Sequence, residues 1–585
     1  MRLAREVETL ERRIIARGEG SFHISSMGHE ANAALAQALG PQDWLLCHYR
    51  DRALLLARGL SPKAFFDALH ANGASCSAGR HMNTMLSDRA LKVVSAPVSV
   101  GNNLLPAVGI ALHQKSAAGA PVVYAGIGDG GTQQGDFYEA VSEAARSGAP
   151  VLFLIQDNGY ALSTQTVGKT FCSLPGADGS HFLGVPIERL DGMEASACLD
   201  GFQRIVARMR DDRRPALVIL RTERLGSHSN ADDHSIYRTP EEIERMLRLA
   251  DPLTALESEL TGLGVTAEQL EAVTAECRQE VEAAAAAARS EAAPVAISSA
   301  VRPLPESFAA RLPYTGDSQA PALTMREALR DVLGNHLKAA DFRLYGEDIE
   351  DPKGDVFGVC EGLSTAFPGR VENSPLAEAT ILGVAIGRAL AGERVGAFLQ
   401  FADFFPVAYN LFHSELAGMY WRSNGEWNCP VTLMVSCGGY RAGTGPYHTQ
   451  TFDSIAAHTP GVDVVMPSTA GDAAGLLNAV LTSGRPSVFL YPKNLINDRS
   501  QRTSADVAEQ FVPLGKACFR REGADLVFVA WGNTVALCEH TADLLKGAGM
   551  DAAVIDLRSL KPWDAETVAA AAETAGKLII AHEDS

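Results

Sequence analysis

A chain of 585 residues is too long for one ordinary domain, and at roughly 150 residues per domain it predicts about three or four. With 46% hydrophobic and 21% charged residues, the composition is that of a globular protein and excludes disorder over most of the length. The formal net charge of −19, from 51 Lys and Arg against 70 Asp and Glu, repels phosphate backbones and anionic bilayers, so neither nucleic acid nor a membrane is expected as a partner.

The amino terminus, MRLAREVETLERRIIARGEG, is charged throughout and lacks the apolar stretch of a secretory signal. No run of about 18 apolar residues follows it, and a cytoplasmic protein is expected. The cysteines, among them Cys47, Cys76, Cys172, Cys360 and Cys437, form no CxxC pair, which predicts reduced thiols rather than a disulfide framework or a zinc site.

Over residues 1–288, short apolar runs alternate with helical patterns, the signature of a parallel sheet covered by helices. Residues 121–128 and 151–157 read as strands, and DFYEAVSEAARSG between them as a crossover helix closed by Gly148, which makes one βαβ unit. The chain then turns acidic and alanine-rich, and prolines at 294, 303, 305, 313 and 321 mark 289–322 as a linker. Residues 323–505 predict a second α/β domain, with the helix TMREALRDVLGNHLKAA and the strands ERVGAFLQF, PVTLMVS and PSVFLYP. Residues 506–585 predict a third, with DLVFVAW and AAVIDL flanking the helix TVALCEHTADLLKGAG; it is short for an α/β domain, and a remainder is expected beyond Ser585.

The chemistry is concentrated in Gly128-Asp129-Gly130, followed after 26 residues by Asp157-Asn158-Gly159-Tyr160. A carboxylate at the carboxyl end of one parallel strand and an amide at the end of the next share the rim where α/β sheets bind ligands. Magnesium, a hard cation that takes oxygen ligands and is often shared with phosphates, suits Asp129, Asn158 and a nearby carbonyl. GDG by itself reads equally well as a glycine turn with a helix-capping aspartate; the complete spacing carries the metal reading.

That spacing resembles the thiamine diphosphate motif, and its surroundings resemble the alpha subunit of 2-oxo acid dehydrogenases, nearest the branched-chain (2-oxoisovalerate) type. The resemblance implies magnesium held by Asp129, Asn158 and the carbonyl of Tyr160, with Gly130 against the cofactor. CHYRDRALLLARG matches the diphosphate-binding segment through Tyr49 and Arg50. SAPVSVGNNLLPAVGIAL matches the segment whose backbone holds the aminopyrimidine, implying Ala96 and Val98. RLGSHSNADDHSIYR resembles the mobile active-site loop, with Arg224 near the diphosphate and His228 beside the reacting carbon. Taken singly, Tyr49-Arg50 reads as a surface pair and His228 as a solvated loop histidine.

The second half resembles the beta subunit. NSPLAEATILGVAIG implies Glu378 as the cofactor-activating glutamate, LQFADFFPVAYN implies Phe404 on the pyrimidine, and GTGPYHTQTFDS supplies His448 as a catalytic histidine. Without the resemblance, Glu378 is a structural ion-pair partner and His448 a satisfied core histidine. VIDLRSLKPWDAET resembles the transketolase carboxyl-terminal domain. The implied fold is α/β, with two thiamine-diphosphate-binding-type parallel-sheet domains and a partial transketolase C-terminal-like domain, the two usual subunits being fused end to end.

The implied activity is oxidative decarboxylation of an aliphatic, branched-chain 2-oxo acid through a thiamine diphosphate enamine, with acyl transfer to the lipoyl group of a dihydrolipoyl acyltransferase. Glu378, His228 and His448 are the implied catalytic residues, and a homodimer is expected. Three departures bear on this: Gln156 stands where the branched-chain type has a diphosphate-binding arginine, Asp157 replaces an asparagine, and Ser227 replaces a histidine. Two other readings stay open. A thiamine-dependent carboligase or acyl-transfer enzyme would share the cofactor site without needing a lipoyl protein, and a catalytically silent scaffold would need none of the catalytic residues.

Overall fold

A computed structural model describes all residues except Ser21, Val98, 174–178, Ser298 and 584–585. The chain divides into two units, Met1–Ser298 with Met419–Trp427, and Ser299–Gly418 with Asn428–Ser585.

The first unit is built on strands β1 (Trp44–Leu46), β2 (Val93–Val94), β3 (Val123–Gly128), β4 (Val151–Asp157), β5 (His181–Phe182), β6 (Val185–Asp191) and β7 (Ala216–Arg221). They lie in the order β2-β1-β3-β4-β7-β6-β5, and all neighbours are parallel except β5 and β6. The central runs VYAGIG, VLFLIQD and ALVILR are buried almost end to end, because a parallel sheet is covered on both faces and leaves no wet side to alternate with. Helix Leu104–His113 is buried from Leu104 to Ala111, whereas Gly135–Ser147 buries the apolar stripe of Phe137, Ala140, Val141 and Ala144, with Glu143 beside it, before stopping at Gly148, whose φ of 62° suits glycine.

The amino-terminal helix Arg2–Ala16 buries Glu8 and Glu11, and both face His23. Nδ1 of His23 is 3.2 Å from Glu11, its Nε2 is 3.4 Å from Glu8, and Arg52 closes the cluster at 2.6 Å from Glu11. His23 also anchors the segment that bears His228: its N–H donates to Asn230 Oδ1 (2.9 Å), and its carbonyl accepts from Asn230 N–H (3.0 Å). Burial opposes the imidazolium, but Glu11 and Glu8 more than offset it, so His23 titrates above its ordinary range. A raised histidine pKa gives stability that is complete below the ordinary value and is lost as pH rises through the raised one. His23→Gln should therefore destabilise the first unit by about 3 kcal/mol in mild acid, with the deficit shrinking as pH rises. Urea unfolding of parent and variant at acid and alkaline pH measures this, and a pH-independent deficit would refute it.

In the second unit, strands β8 (Phe342–Gly346), β9 (Val371–Asn373), β10 (Arg394–Leu399), β11 (Val431–Cys437), β12 (Asp463–Val465) and β13 (Ser487–Pro492) form the order β9-β8-β10-β11-β13-β12, all parallel. This repeats the β2-β1-β3-β4 arrangement of the first unit, and again a helix buried almost throughout, Glu378–Leu390, precedes the third strand. Strands β14 (Cys518–Arg521), β15 (Leu526–Ala530), β16 (Ala552–Asp556) and β18 (Leu578–Ala581) make a small separate sheet. Strand β17 (Ser559–Lys561) instead joins the edge of the larger sheet, antiparallel to β12.

The segment 289–322, expected as a linker, is mostly exposed, with a few residues held in place. The carbonyl of Ala292 accepts from Gly73 N–H in the first unit (2.8 Å). In the second, Leu304 and Phe308 pack on the core, and Tyr314 exchanges backbone hydrogen bonds with Phe511. The apolar side chains set among the prolines account for the difference.

Candidate functional site

In the first unit, strand order reverses between β1 and β3: the chain leaves β1 for β2 on one side and leaves β3 for β4 on the other. Such a switch point opens a crevice at the carboxyl ends of its two strands. His48, Tyr49 and Arg50 follow β1, and Asp129 follows β3. Asn103 bridges the two strand ends, its amide donating to Leu46 O (3.0 Å) and Gly126 O (2.9 Å). A cavity of about 380 Å³ lies here, and Tyr49, Arg50, Asp129, Gly130, Asn158, Tyr160 and His228 all line it. Ala96 is buried and does not line this cavity, its carbonyl accepting from His81 Nε2 (2.9 Å), and Val98 lies outside the described residues.

Register explains why the metal candidates converge. Gly128 pairs with Gln156 across β3 and β4, which brings Asp129 and Asp157 out side by side. Burial pushes the Asp129 carboxyl up to about 7, and Asp157 adds to the shift. A buried carboxyl held in its protonated form beside a second carboxylate is an arrangement that a cation relieves. Among the described residues no three His, Cys, Asp or Glu side chains cluster as a metal site. A set of one carboxylate, one amide oxygen and one carbonyl, as in Asp129, Asn158 and Tyr160, needs no such cluster and fits magnesium, with waters and phosphate completing the shell.

Three residues that the sequence reading did not assign orient this set. Gln156 Oε1 is 2.8 Å from His29 Nδ1, and an amide oxygen only accepts, so Nδ1 bears the proton. His29 Nε2 is then the acceptor for the Asn158 amide nitrogen at 3.4 Å, which turns the Asn158 oxygen away from His29. At the other end, Gln156 Nε2 donates to Asp51 (2.5 Å), which also accepts from Tyr124 OH (2.7 Å) and Asn32 (3.1 Å). Gln156 is wholly buried. It acts in this chain of hydrogen bonds rather than as a replacement for a diphosphate-binding cation.

Arg50 and Arg224 are both buried and meet at His228, whose Nδ1 is 3.0 Å from one guanidinium and 3.5 Å from the other. A guanidinium only donates, so Nδ1 is the acceptor and the ring proton sits on Nε2. Burial and the two arginines hold His228 down to about 4. The His228 N–H donates to Asp232 (2.7 Å), which also accepts from Tyr237 OH (2.6 Å), and Arg224 donates to Tyr237 OH at the same distance.

In the second unit, Phe404 and His448 have ring centroids 5.7 Å apart, and Phe401 stands edge-on to His448 at 4.6 Å. Asp403 ties down the loop after His448 by accepting from Thr449 N–H (3.2 Å). Glu378 opens helix Glu378–Leu390, half-buried, where the helix dipole favours its charge. Burial raises neighbouring Glu347, and the charges of Asp348 and Glu378 add to that rise.

Comparison with known proteins gives three family matches: "Dehydrogenase E1 component" over residues 1–296, "Transketolase, pyrimidine binding domain" over 321–499 and "Transketolase, C-terminal domain" over 515–585. The 2-oxoisovalerate dehydrogenase subunit beta of Bacillus subtilis is 39% identical over 241 residues, 41% of this chain and 72% of the relative. The pyruvate dehydrogenase E1 component subunit beta of the same organism is 37% identical over 263 residues, 45% of this chain and 80% of the relative. The 3-methyl-2-oxobutanoate dehydrogenase subunit beta of Mycobacterium tuberculosis is 37% identical over 267 residues, 45% of this chain and 75% of the relative.

Proposed function

The chain belongs to the dehydrogenase E1 component family, the thiamine-diphosphate-dependent decarboxylating part of 2-oxo acid dehydrogenases, and from that premise we propose a branched-chain aliphatic 2-oxo acid as its substrate and a lipoyl-bearing acyltransferase as its acceptor. The observation that carries the site assignment is the convergence of Asp129, Asn158, Tyr160, Arg50 and His228 on one cavity at the strand switch point. When bound, thiamine diphosphate supplies the electron sink that lets carbon dioxide leave.

In this reading Asp129, Asn158 and the Tyr160 carbonyl hold magnesium, while Tyr49, Arg50 and Arg224 bind the diphosphate, with Gly130 against it. Ala96 and Val98 hold the aminopyrimidine by their backbone, and Phe404 packs on its ring. Glu378 holds and releases the activating proton. His228, with its proton on Nε2, and His448 manage protons at the acceptor step. The enzyme works as a cytoplasmic homodimer; among the described residues no helix is long and apolar enough to cross a membrane.

A screen of 2-oxo acids for carbon dioxide release with an artificial electron acceptor, with and without thiamine diphosphate and magnesium, tests this proposal. Release from branched aliphatic acids that depends on the cofactor and reduces the acceptor is the expected result. Carbon–carbon ligation products with no acceptor reduction would establish the carboligase alternative instead.

A further inference from the structure

His48 has no part in the reading above, yet it follows β1 at the switch point and lines the crevice. The residue is 6% exposed, and neither ring nitrogen has a hydrogen-bond partner among the described residues. Its backbone is pinned, the N–H donating to Asp51 Oδ2 at 2.7 Å, and its ring lies against Tyr49 with centroids 3.9 Å apart. The ring also packs near Gly128, the residue before Asp129: a Cβ built there would lie 3.4 Å from Nε2, at ordinary contact distance. His48 lines the same cavity as Arg50, Asp129 and His228.

A buried imidazole with two unpartnered nitrogens is costly, and buried polar groups of this kind are retained where a ligand completes them. Burial, with Arg50 next in effect, holds His48 well below its ordinary range, so the ring is neutral and offers one N–H and one lone pair. The same cavity is lined by the cationic Arg50 and the metal candidate Asp129, a pairing that suits an anionic oxygen with a bound cation. We propose that His48 is a further cofactor ligand, its ring N–H donating to an oxygen of the diphosphate arm between Arg50 and the magnesium site. This rests on the thiamine diphosphate reading of the cavity.

The test is calorimetric titration of the full chain with thiamine diphosphate, and separately with inorganic pyrophosphate, both with magnesium, for the parent, His48→Leu and His48→Gln. A hydrogen bond to a charged group predicts that His48→Leu binds both probes about 10- to 100-fold more weakly. His48→Gln, which keeps a donor, should recover most of that loss. The ligand-free His48→Leu protein should melt no lower than the parent, because two unpartnered buried nitrogens have been removed. Parent-like affinity in His48→Leu, or a loss that His48→Gln does not recover, would overturn the ligand role while leaving the site reading intact. Weaker binding accompanied by a lower melting temperature of the ligand-free protein would assign His48 to packing and also overturn it. A parent chain that binds no thiamine diphosphate would overturn the cavity reading itself, and this inference with it.

Discussion

Asp129→Ala is expected to abolish magnesium-dependent binding of thiamine diphosphate while leaving the fold intact. The substitution removes the one carboxylate in the candidate metal set, and the remaining amide and carbonyl oxygens supply no charge to hold a divalent cation. The fold should survive because Asp129 lies beyond the end of β3, where its backbone, not its carboxylate, continues the chain. Its pKa sharpens the expectation. A carboxyl raised to about 7 in the folded protein gives stability that is present in acid and is lost as pH rises through that value. Without magnesium, the alanine variant should therefore melt at or above the parent temperature in mildly alkaline solution. For the same reason, cofactor affinity of the parent should rise with pH across neutrality, since the cation displaces a proton. Calorimetry with and without magnesium measures both; unchanged magnesium-dependent affinity in the variant would remove Asp129 from the metal set.

Glu378→Gln is expected to bind cofactor nearly as well as the parent but to turn over about 100-fold more slowly or worse. The amide is isosteric and stays compatible with the first turn of helix Glu378–Leu390, whose stability rests on the buried run that follows. It cannot give up and regain a proton, which is the role assigned to the carboxylate. The exchange rate of the thiazolium proton in deuterium oxide, followed by NMR with the bound cofactor, isolates that role from later steps. Exchange as fast as in the parent would show that the activating proton does not pass through Glu378. Because Glu347 loses a charged neighbour, its own carboxyl should titrate lower in this variant.

The strands ending at Gly128 and Asp157 and the helix between them were legible from local pattern alone, since an unbroken apolar run and a 3.6-residue stripe depend only on neighbouring residues. The GDG and DNGY motifs were legible for the same reason: their spacing equals one crossover. The sequence by itself also determined which side chains carry charge and where the chain is polar.

The strand order was decided only in three dimensions, and with it the meeting of residues from separate loops. His29, Asp51, Gln156 and Asn158 lie up to 129 positions apart and form one directed series of hydrogen bonds only because β1, β3 and β4 are adjacent. Read along the chain, Gln156 was a missing cation; packed, it is a wholly buried link whose amide oxygen and nitrogen both have partners. The neutral state of His228 and the unpartnered ring of His48 were equally beyond reach, because burial and hydrogen-bond satisfaction are properties of the packed molecule and not of any residue's type. The segment 289–322 shows the limit from the other side: proline content predicted a linker, and the contacts of Leu304, Phe308 and Tyr314 depended on a surface that only the folded second unit presents.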